Sequence, residues 1–411
     1  MTAQSIAEGA RRVLIVDDVV PNAAAGSGYP RMLETISTIQ AVPNVEVSLF
    51  PVVDVFHAGT RPVSVRRWTG ELPLEVITEE LGRHLRRVVL AGRAYDLVII
   101  SRPHNYQLVI KTIKRYLRDV PVIYDAEALF YRRLERQLDL AESSGRRSLR
   151  REMEAMREVE ETIAREVDEL VCVSQDEAEI LRQLTDRPVI VHSPLLHSMD
   201  WTEAGFQDRS GVCFIAGWSA GAKSPNGDGM RWFAREVWPR VLARLPEAEL
   251  EVTGAKAPIE VRRFACESIR FIGRVDDLKG YYGSRRVVIV PNRYGAGVKN
   301  KTMEALQAGV PVVSTVVGAE GMPIPGFTDG SAGRPAWSPS YLFVTDDPTE
   351  FAVRIVALLR DEQLWEQERQ LLRAQCSAWE RERLTNVWPS ILERYLPSSY
   401  HSGDLSDSRN G

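Results

Sequence analysis

The sequence has no long apolar run. None of its segments approaches the ~18 consecutive apolar residues that a membrane-spanning helix needs. Residues 1–12 also lack the apolar core of a signal peptide. These absences predict a cytoplasmic protein that does not cross a membrane, and they leave open peripheral contact with the inner face of a membrane.

Cysteine is scarce and scattered. The four cysteines are far apart, and two of them, Cys172 and Cys213, lie inside apolar runs. This spacing excludes a disulfide framework and a cysteine-rich metal cluster, and it favours reduced core thiols. No Asp-x-Asp motif stands near the end of a predicted strand, so we expect chemistry without a bound metal or other cofactor.

Positive charge is not in excess. The 52 Lys and Arg residues are outnumbered by 56 Asp and Glu residues, which gives a net charge of -4. This balance argues against sequence-independent nucleic-acid binding, because such binding relies on a basic surface. The length of 411 residues exceeds the usual limit for one hydrophobic core, so two domains are expected, residues 1–200 and 201–376.

One stretch, residues 286–321, organises the rest of the sequence. Four apolar residues, Val287 to Val290, predict a buried parallel strand that ends at a Pro-Asn pair. A glycine-rich turn follows, and then a predicted helix from Lys299 to Ala308 that stops at Gly309, where a left-handed backbone is expected. A second strand, Val310 to Thr315, completes the unit. In a parallel α/β sheet, such a turn lies at the carboxyl ends of the strands, where ligands bind.

The residues of this turn favour a phosphorylated ligand. Gly295 and Gly297 let the backbone approach an oxygen-rich group, the helix start offers N–H donors, and Lys299 adds a positive charge. Glu304 lies roughly 7.5 Å further along the helix axis, at about 1.5 Å per residue, which is about the span from a diphosphate to the hydroxyls of its ribose. For Lys301 and Glu304 alone, an ordinary solvated Lys-Glu pair is the alternative interpretation.

The first half of the sequence alternates strands and helices, which predicts a parallel sheet. Gly26 and Gly28 form a glycine-rich turn after the first strand, although their spacing does not fit the GxGxxG fingerprint. His104 stands just past another strand end, where polar residues tend to be functional, so we expect it to contact the donor or the acceptor.

Two carboxylates, Asp125 and Glu127, follow a further strand, with Arg133 close behind them. They can act as acid and base groups on the acceptor side, or they can form a helix N-cap and its structural ion pair. An arginine-rich stretch, residues 61–93, contains a predicted helix over residues 74–91. Its arginines can form a patch for an anionic acceptor or a membrane surface, but a solvated helix face is the commoner arrangement.

The second half repeats the alternation of strands and helices after a polar segment, residues 199–210, that predicts a linker. Lys223 lies in a long turn after the first strand of this half, where it would meet a phosphate or remain exposed. A last apolar-rich helix, residues 377–396, needs a surface to cover, and the first domain is the candidate. Residues 397–411 predict a disordered tail.

These motifs together resemble the family 4 glycosyltransferases of the GT-B fold, of the bacterial type. The donor-site signature of one branch is similar to Arg293-Tyr-Gly-Ala-Gly-Val-Lys-Asn-Lys-Thr-Met-Glu-Ala-Leu and to the later Gly318-Ala-Glu-Gly321. In the first half, Gly26-Ser-Gly-Tyr-Pro-Arg31, Ser101-Arg-Pro-His104 and Tyr124-Asp-Ala-Glu-Ala-Leu-Phe130 look like the same branch. The resemblance covers most of residues 12–395 and is more specific in the second domain.

The resemblance implies an α/β protein with two Rossmann-like domains, a cleft between them and a C-terminal helix that returns to the first domain. It implies that Lys299, with Lys301, holds the diphosphate, that Glu304 holds the ribose hydroxyls and that His104 touches the donor sugar. The remaining predicted donor-site residues are Gly26, Gly28, Gly217, Lys223, Arg274, Val275, Arg293, Gly295, Gly297, Gly318, Ala319, Glu320 and Gly321. Many family members carry a second glutamate that contacts the sugar at the position of Ala296, so the identity of the donor stays open.

The hypothesis is a retaining, metal-independent glycosyltransferase of the hexosyltransferase type. The donor would be a UDP- or GDP-sugar, and the acceptor a hydroxyl of a carbohydrate, lipid-linked or small-molecule compound. The pathway would make cell-surface polysaccharide, glycolipid or natural-product glycosides. Two alternatives remain: a nucleotide-sugar epimerase using Asp125 and Glu127, and a catalytically degenerate nucleotide-sugar binding module, which Ala296 suggests.

Overall fold

The computed structural model describes residues 10–21, 29–53, 74–192, 199–218, 221–322, 340–383 and 387–396. Gly26, Gly28, the tail 397–411 and the first part of the arginine-rich stretch, residues 61–73, lie outside these residues. The described residues form two α/β domains, each built on one parallel sheet.

The first domain contains seven strands and six helices within the described residues. The strands are β1 Arg11–Asp17, β2 Val45–Pro51, β3 Glu75–Val76, β4 Leu97–Ser101, β5 Val122–Ala126, β6 Glu169–Cys172 and β7 Val189–Val191. The helices are α1 Tyr29–Gln40, α2 Leu81–Leu90, α3 Pro103–Tyr116, α4 Phe130–Leu140, α5 Arg146–Glu166 and α6 Gln175–Arg182. The sheet order is β3-β2-β1-β4-β5-β6-β7, and all neighbours pair in parallel.

The central strands are apolar along their whole length because helices cover both faces of the sheet. Val13 to Val16 in β1 and Leu97 to Ile100 in β4 are completely buried. Side chains that alternate along β1 enter two separate clusters, Leu14 and Val16 on one face and Val13 and Ile15 on the other. Continuous burial of this kind is characteristic of parallel sheets, and the predicted architecture of this half is confirmed.

The predicted helix over residues 74–91 is wrong in its first part. Glu75 and Val76 form the short edge strand β3, in register with Ser48 and Leu49 of β2, and α2 begins only at Leu81. Pairing with a strand that is distant in the sequence overrides the local pattern here, as it commonly does at sheet edges.

The second domain contains six strands and seven α-helices within the described residues. The strands are β8 Ser210–Phe214, β9 Leu250–Thr253, β10 Ile269–Gly273, β11 Arg285–Val290, β12 Val312–Ser314 and β13 Leu342–Val344. The helices are α7 Pro225–Trp232, α8 Trp238–Leu242, α9 Ile259–Arg262, α10 Leu278–Gly283, α11 Asn300–Gln307, α12 Pro348–Arg360 and α13 Glu362–Arg383; a π-helical turn, Phe233–Val237, joins α7 to α8. The sheet order is β10-β9-β8-β11-β12-β13, again parallel throughout.

The segment predicted as a linker, residues 199–210, packs on the second domain. Arg209 is only 1% exposed, and its guanidinium donates to the carbonyls of Thr202 and Ala204. The Thr202 hydroxyl donates to the carbonyl of Ala308 at 2.8 Å. Arginine stems cover apolar surface while their donors satisfy backbone acceptors. This segment is therefore part of the second domain in spite of its polar composition, and it is not a free linker.

The C-terminal segment comprises two helices instead of the single predicted helix over residues 377–396. Helix α13 ends at Arg383, and a separate helix, α14 Trp388–Tyr395, follows. Buried side chains of α14, Trp388 among them, join the first-domain cluster formed by β1, α1 and β4. Arg394 of α14 also donates to Glu169 at the start of β6 at 2.5 Å.

Candidate active site

The carboxyl-terminal ends of the two sheets face each other across the domain boundary. Gly297, in the turn after β11, lies against the loop after β5, because a Cβ built there would be 2.8 Å from the carbonyl oxygen of Glu127. Gly321 lies against the residues after β6, since its Cβ would be 3.0 Å from that of Ser174. Ligands of parallel α/β sheets bind at these ends, so the cleft is the candidate site.

Helix α11 begins at this cleft, as the sequence predicted. Lys299 is its N-cap residue, and no side chain caps the helix start. The positive φ of Gly309, 74°, confirms the predicted left-handed end of the helix. The Lys299 ammonium donates to the carbonyl of Gly297 at 2.6 Å and lies 3.5 Å from a carboxylate oxygen of Glu320. Burial lowers the pKa of Lys299, with the charge of Glu320 acting in the opposite direction.

Lys301 and Glu304 have different partners instead of forming a solvated pair. The Lys301 ammonium donates to the side-chain oxygen of Asn226 at 2.6 Å and lies 4.7 Å above the ring of Phe214. Burial, reinforced by the charge of Lys299, lowers the pKa of Lys301 to about 7.

Glu304 accepts a hydrogen bond of 3.0 Å from the Tyr282 hydroxyl. Burial raises the pKa of Glu304, and the hydrogen bond from Tyr282 partly offsets that rise. The helix and its N-cap residue thus carry a carboxylate with a raised pKa, Glu304, and two amines with lowered pKa values, Lys299 and Lys301.

On the first-domain side, Arg102 joins three carboxylates. It pairs with Asp17 at 3.1 Å, with Asp18, and with Glu127 at 2.7 Å. Arg102 precedes α3 with a φ of 72°, a left-handed conformation that is unfavourable for a residue with a side chain and often marks functional sites. Burial raises the pKa of Asp17 to about 7 even though the charge of Arg102 opposes the rise.

His104 lies in the same cluster. Its Nε2 atom is 2.6 Å from Asp18, and its side chain is 45% exposed. Asn105 donates to the same Asp18 oxygen at 2.9 Å. Burial alone would raise the pKa of Asp18, but the hydrogen bond from His104 and the charge of Arg102 outweigh it and the pKa is lowered. His104 is therefore held by a carboxylate and still open to a ligand.

Asp125 is a structural residue in this fold. It is completely buried and forms two hydrogen bonds with Arg31, at 2.6 and 2.5 Å. The acid/base interpretation of Asp125, and with it the main basis for the epimerase alternative, finds no support in this geometry. Leu129 is the N-cap residue of the helix that follows, so the N-cap part of the other interpretation of Asp125 is wrong, whereas a structural ion pair is present, with Arg31 as the partner. Glu127 accepts from Arg102, and Arg133 is half-buried on α4.

The other predicted donor-site residues of the second domain have different environments, and two of their side chains form ion pairs. Arg293 forms a bidentate ion pair with Asp228, at 2.9 and 2.7 Å, and Arg274 pairs with Asp276 at 2.8 Å, while Val275 beside it is half-buried. Lys223 is exposed. The carbonyl of Gly217 accepts from Asn226 at 2.8 Å.

The Gly318–Gly321 turn packs closely beneath the cleft. A Cβ at Gly318 would lie 2.5 Å from the carbonyl oxygen of Val290, so no larger residue fits there. Ala319 is completely buried. Glu320 forms two hydrogen bonds with Arg136 of α4, at 2.7 and 2.6 Å, and thereby joins the two domains.

Sequence reasoning missed several residues of this site. The sequence could have identified Asp17 and Asp18 as site residues, because they stand at the end of the first strand, at the ligand-binding edge of the sheet. Arg102 stands two residues before His104, and the sequence analysis named it only as part of a motif. For Arg136, in the middle of a charged helix, no local signal exists.

Two kinds of feature are absent from the described residues, a metal-binding cluster and a membrane-spanning helix. No group of three or more His, Cys, Asp or Glu side chains is arranged to hold a metal ion. No helix in that part of the chain is long and apolar enough to span a membrane. The four cysteines are free, with Cys172 and Cys213 buried as expected and Cys266 exposed.

Comparison with known proteins gives a family match in the second domain. Residues 215–361 match the family model described as glycosyl transferases group 1. An uncharacterized 44.6 kDa protein in the cps region of Klebsiella pneumoniae is 25% identical over 262 residues. That alignment covers 61% of this chain and 64% of the relative.

Solved structures match over nearly the whole chain. The Anabaena protein Alr3699/HepE, in complex with UDP and glucose, superposes with a TM-score of 0.60 at 14% identity, covering 93% of this chain and 99% of that protein. A glycosyltransferase from Rickettsia africae ESF-5 superposes with a TM-score of 0.59 at 12% identity, covering 95% and 100%. The predicted GT-B fold is therefore confirmed by the two parallel-sheet domains and their structural neighbours, and residues 215–361 match a family model of the predicted enzyme class, the glycosyltransferases.

Proposed function

We propose that this protein transfers a hexosyl group from a nucleotide-diphosphate sugar, bound in the cleft, to a hydroxyl group of an acceptor. The observation that carries the proposal is the position of Lys299 and Glu304 on one helix at the cleft edge. Lys299 would bind the diphosphate, and Glu304, whose other partner is Tyr282, would bind the ribose hydroxyls. A UDP-sugar is the first donor to test, because the Anabaena structure was solved with UDP and glucose; a GDP-sugar is the second.

In the proposed reaction, the acceptor oxygen bonds to the anomeric carbon as the bond from that carbon to the diphosphate oxygen breaks. Negative charge develops on the departing diphosphate, and Lys299 would stabilise it in a site that excludes water. The acceptor would attack the anomeric carbon from the face that the diphosphate leaves, which gives retention of configuration, and its proton would pass to the departing phosphate oxygen. His104, exposed in the cleft beside Asp18, would contact the sugar.

The proposal includes metal independence and membership of family 4. The support for metal independence is the set of cationic side chains at the helix start, which can supply charge to the diphosphate without an ion. The acceptor, whether carbohydrate, lipid-linked or small-molecule, and a pathway toward cell-surface polysaccharide, glycolipid or natural-product glycosides remain part of the proposal. So does a cytoplasmic location, at the inner membrane face if the acceptor is lipid-linked.

Binding of nucleotides tests the central assignment. Glu304→Gln should weaken binding of uridine and UDP alike by roughly 10- to 100-fold, because a hydrogen bond to a charged group contributes about 1.5–3 kcal/mol. Lys299→Ala should weaken UDP but leave uridine binding unchanged, since uridine has no phosphate. Tyr282→Phe is the control that keeps the Glu304 carboxylate and removes its protein partner. Unchanged UDP binding in a Lys299→Ala, Glu304→Ala double variant would refute the assignment.

Product analysis tests the reaction itself. The protein is incubated with labelled UDP- and GDP-sugars and candidate acceptors, with EDTA or with added Mn²⁺. Retention predicts that proton NMR finds the same anomeric configuration in product and donor. Activity that disappears with EDTA and returns with Mn²⁺ would contradict metal independence, and conversion of the sugar nucleotide without acceptor would favour an epimerase.

A further inference from the structure

The lysine proposed to hold the diphosphate already has an anionic neighbour. The Lys299 ammonium lies 3.5 Å from a Glu320 oxygen, and the two side chains are only 12% and 8% exposed. A carboxylate and a diphosphate would compete for this ammonium because both are anions. Donor binding at Lys299 therefore depends on what else neutralises Glu320.

Arg136, from helix α4 of the first domain, engages the same carboxylate more closely. Its Nη1 and Nη2 atoms donate to the two Glu320 oxygens at 2.7 and 2.6 Å. Nη1 also donates to the carbonyl of Gly295, in the turn before Lys299, at 2.7 Å. Bidentate arginine–carboxylate pairs are stronger than single ammonium contacts, and the 3.5 Å contact of Lys299 is long by comparison.

The charges around Glu320 also indicate that Arg136 is its main partner and that Lys299 is a weaker one. Burial alone would raise the pKa of Glu320, but Arg136 and Lys299 outweigh burial, and the pKa is lowered. Glu177, a buried first-domain carboxyl, lies close enough for its pKa to depend on Glu320 and Lys299; burial raises that pKa to about 7. With Arg136 present, Glu320 is neutralised and the charge of Lys299 remains for an incoming anion.

We propose that Arg136 is a positioning residue for the donor: it holds Glu320 away from Lys299, so that Lys299 can bind the diphosphate. Because Arg136 belongs to the first domain, it performs this role only when the domains are in contact, and donor affinity is thereby linked to their closure. This inference rests on the proposed function, since it takes Lys299 as the diphosphate ligand.

The test measures binding of UDP and of uridine to the full-length protein by calorimetry. Arg136→Ala should weaken UDP binding at least about fivefold, the lower end of typical couplings between linked sites. Uridine binding should change less than about twofold, because the phosphates are absent. Adding Glu320→Gln to Arg136→Ala should restore UDP affinity, since no carboxylate then competes for Lys299. Arg165→Ala, which removes an exposed arginine–glutamate pair on α5, serves as the control.

Three other results would contradict the inference. UDP affinity that is unchanged in Arg136→Ala would overturn the inference. UDP affinity that stays low in the Arg136→Ala, Glu320→Gln double variant would overturn it too, because Arg136 would then act on the ligand or the interface by itself. Wild-type protein that binds neither UDP nor GDP would refute the proposed function, and the inference with it.

Discussion

Lys301 is close to the point where a buried lysine changes its charge. Its pKa is lowered from 10.5 to about 7, chiefly by burial. The unfolded chain therefore binds more protons than the folded one between these two values. It follows that Lys301 destabilises the fold below about pH 7 and that this penalty disappears as the pH rises from 7 to 10.5.

Donor binding should reverse the shift in the pKa of Lys301. A diphosphate near the amine favours its charged form, so UDP binding at about pH 8 should take up close to one proton. Calorimetry in buffers of different ionisation enthalpy measures this uptake. Lys301→Met should remove most of it, and equal uptake in that variant would mean that another group is protonated.

Asp125 should matter for stability. Asp125→Asn leaves Arg31 as a buried charge with a weakened partner, and breaking a buried ion pair costs about 3–5 kcal/mol of the free energy of unfolding. Urea denaturation of the variant measures this loss. As a control, Asp200→Asn removes the exposed pair with Lys279 and should leave the denaturation midpoint unchanged. Normal stability combined with lost activity would restore Asp125 as an acid or base.

At the scale of elements, the turn between β11 and α11 depends on the absence of a side chain at Gly297. Its φ of 70° is left-handed, and a Cβ would also lie 3.1 Å from the Cβ of Ala128 in the other domain. The glycine thus serves both the backbone conformation of the turn and the close approach of the two domains.

A matched pair of glycine variants separates these two effects. Gly92 has a similar φ, 66°, but a Cβ there would have no atom within 4 Å. Gly297→Ala and Gly92→Ala should therefore each lose about 1–2 kcal/mol of stability from left-handed backbone strain. Only Gly297→Ala should also lower kcat/KM. We expect a decrease of about tenfold or more, which corresponds to a loss of about 1.4 kcal/mol of transition-state stabilisation when the two domains can no longer approach closely at Gly297. Equal activity of the two variants would show that the contact of Gly297 with the first domain is not needed.

At the scale of the whole molecule, the described elements pass from the first domain to the second and then back to the first. The chain enters the second domain through the packed segment at residues 199–210 and returns so that α14 completes the first-domain core. The first domain therefore depends on residues from both ends of the chain.

A substitution of Trp388 tests whether the first domain depends on α14, because this side chain is completely buried in the first-domain core. Trp388→Ala should lower the free energy of unfolding of the first domain by about 3–5 kcal/mol, as expected for a large buried aromatic residue. Leu371→Ala on α13, where the side chain is 47% exposed, should change it little. Urea denaturation followed with separate probes in the two domains checks both variants. An unaffected first domain would contradict the role of α14.

The sequence by itself determined the elements whose signals are local. The apolar run of β11, the glycines after it and the helix that ends at Gly309 were all readable because burial on both faces and a positive φ restrict residue types within a few positions. The same reasoning predicted the two parallel sheets and pointed to Lys299, Glu304 and His104 at the edges of those sheets.

Only the tertiary structure decided which charges meet. Arg31 and Asp125 are 94 residues apart, and Arg136 and Glu320 are 184 apart, so no local pattern connects them. The division of the last helix into α13 and α14, and the short strand β3, likewise follow from surfaces formed elsewhere in the chain. Ion pairs and edge pairings depend on distances in space, and those distances exist only once the sheets have folded and the two domains have come together.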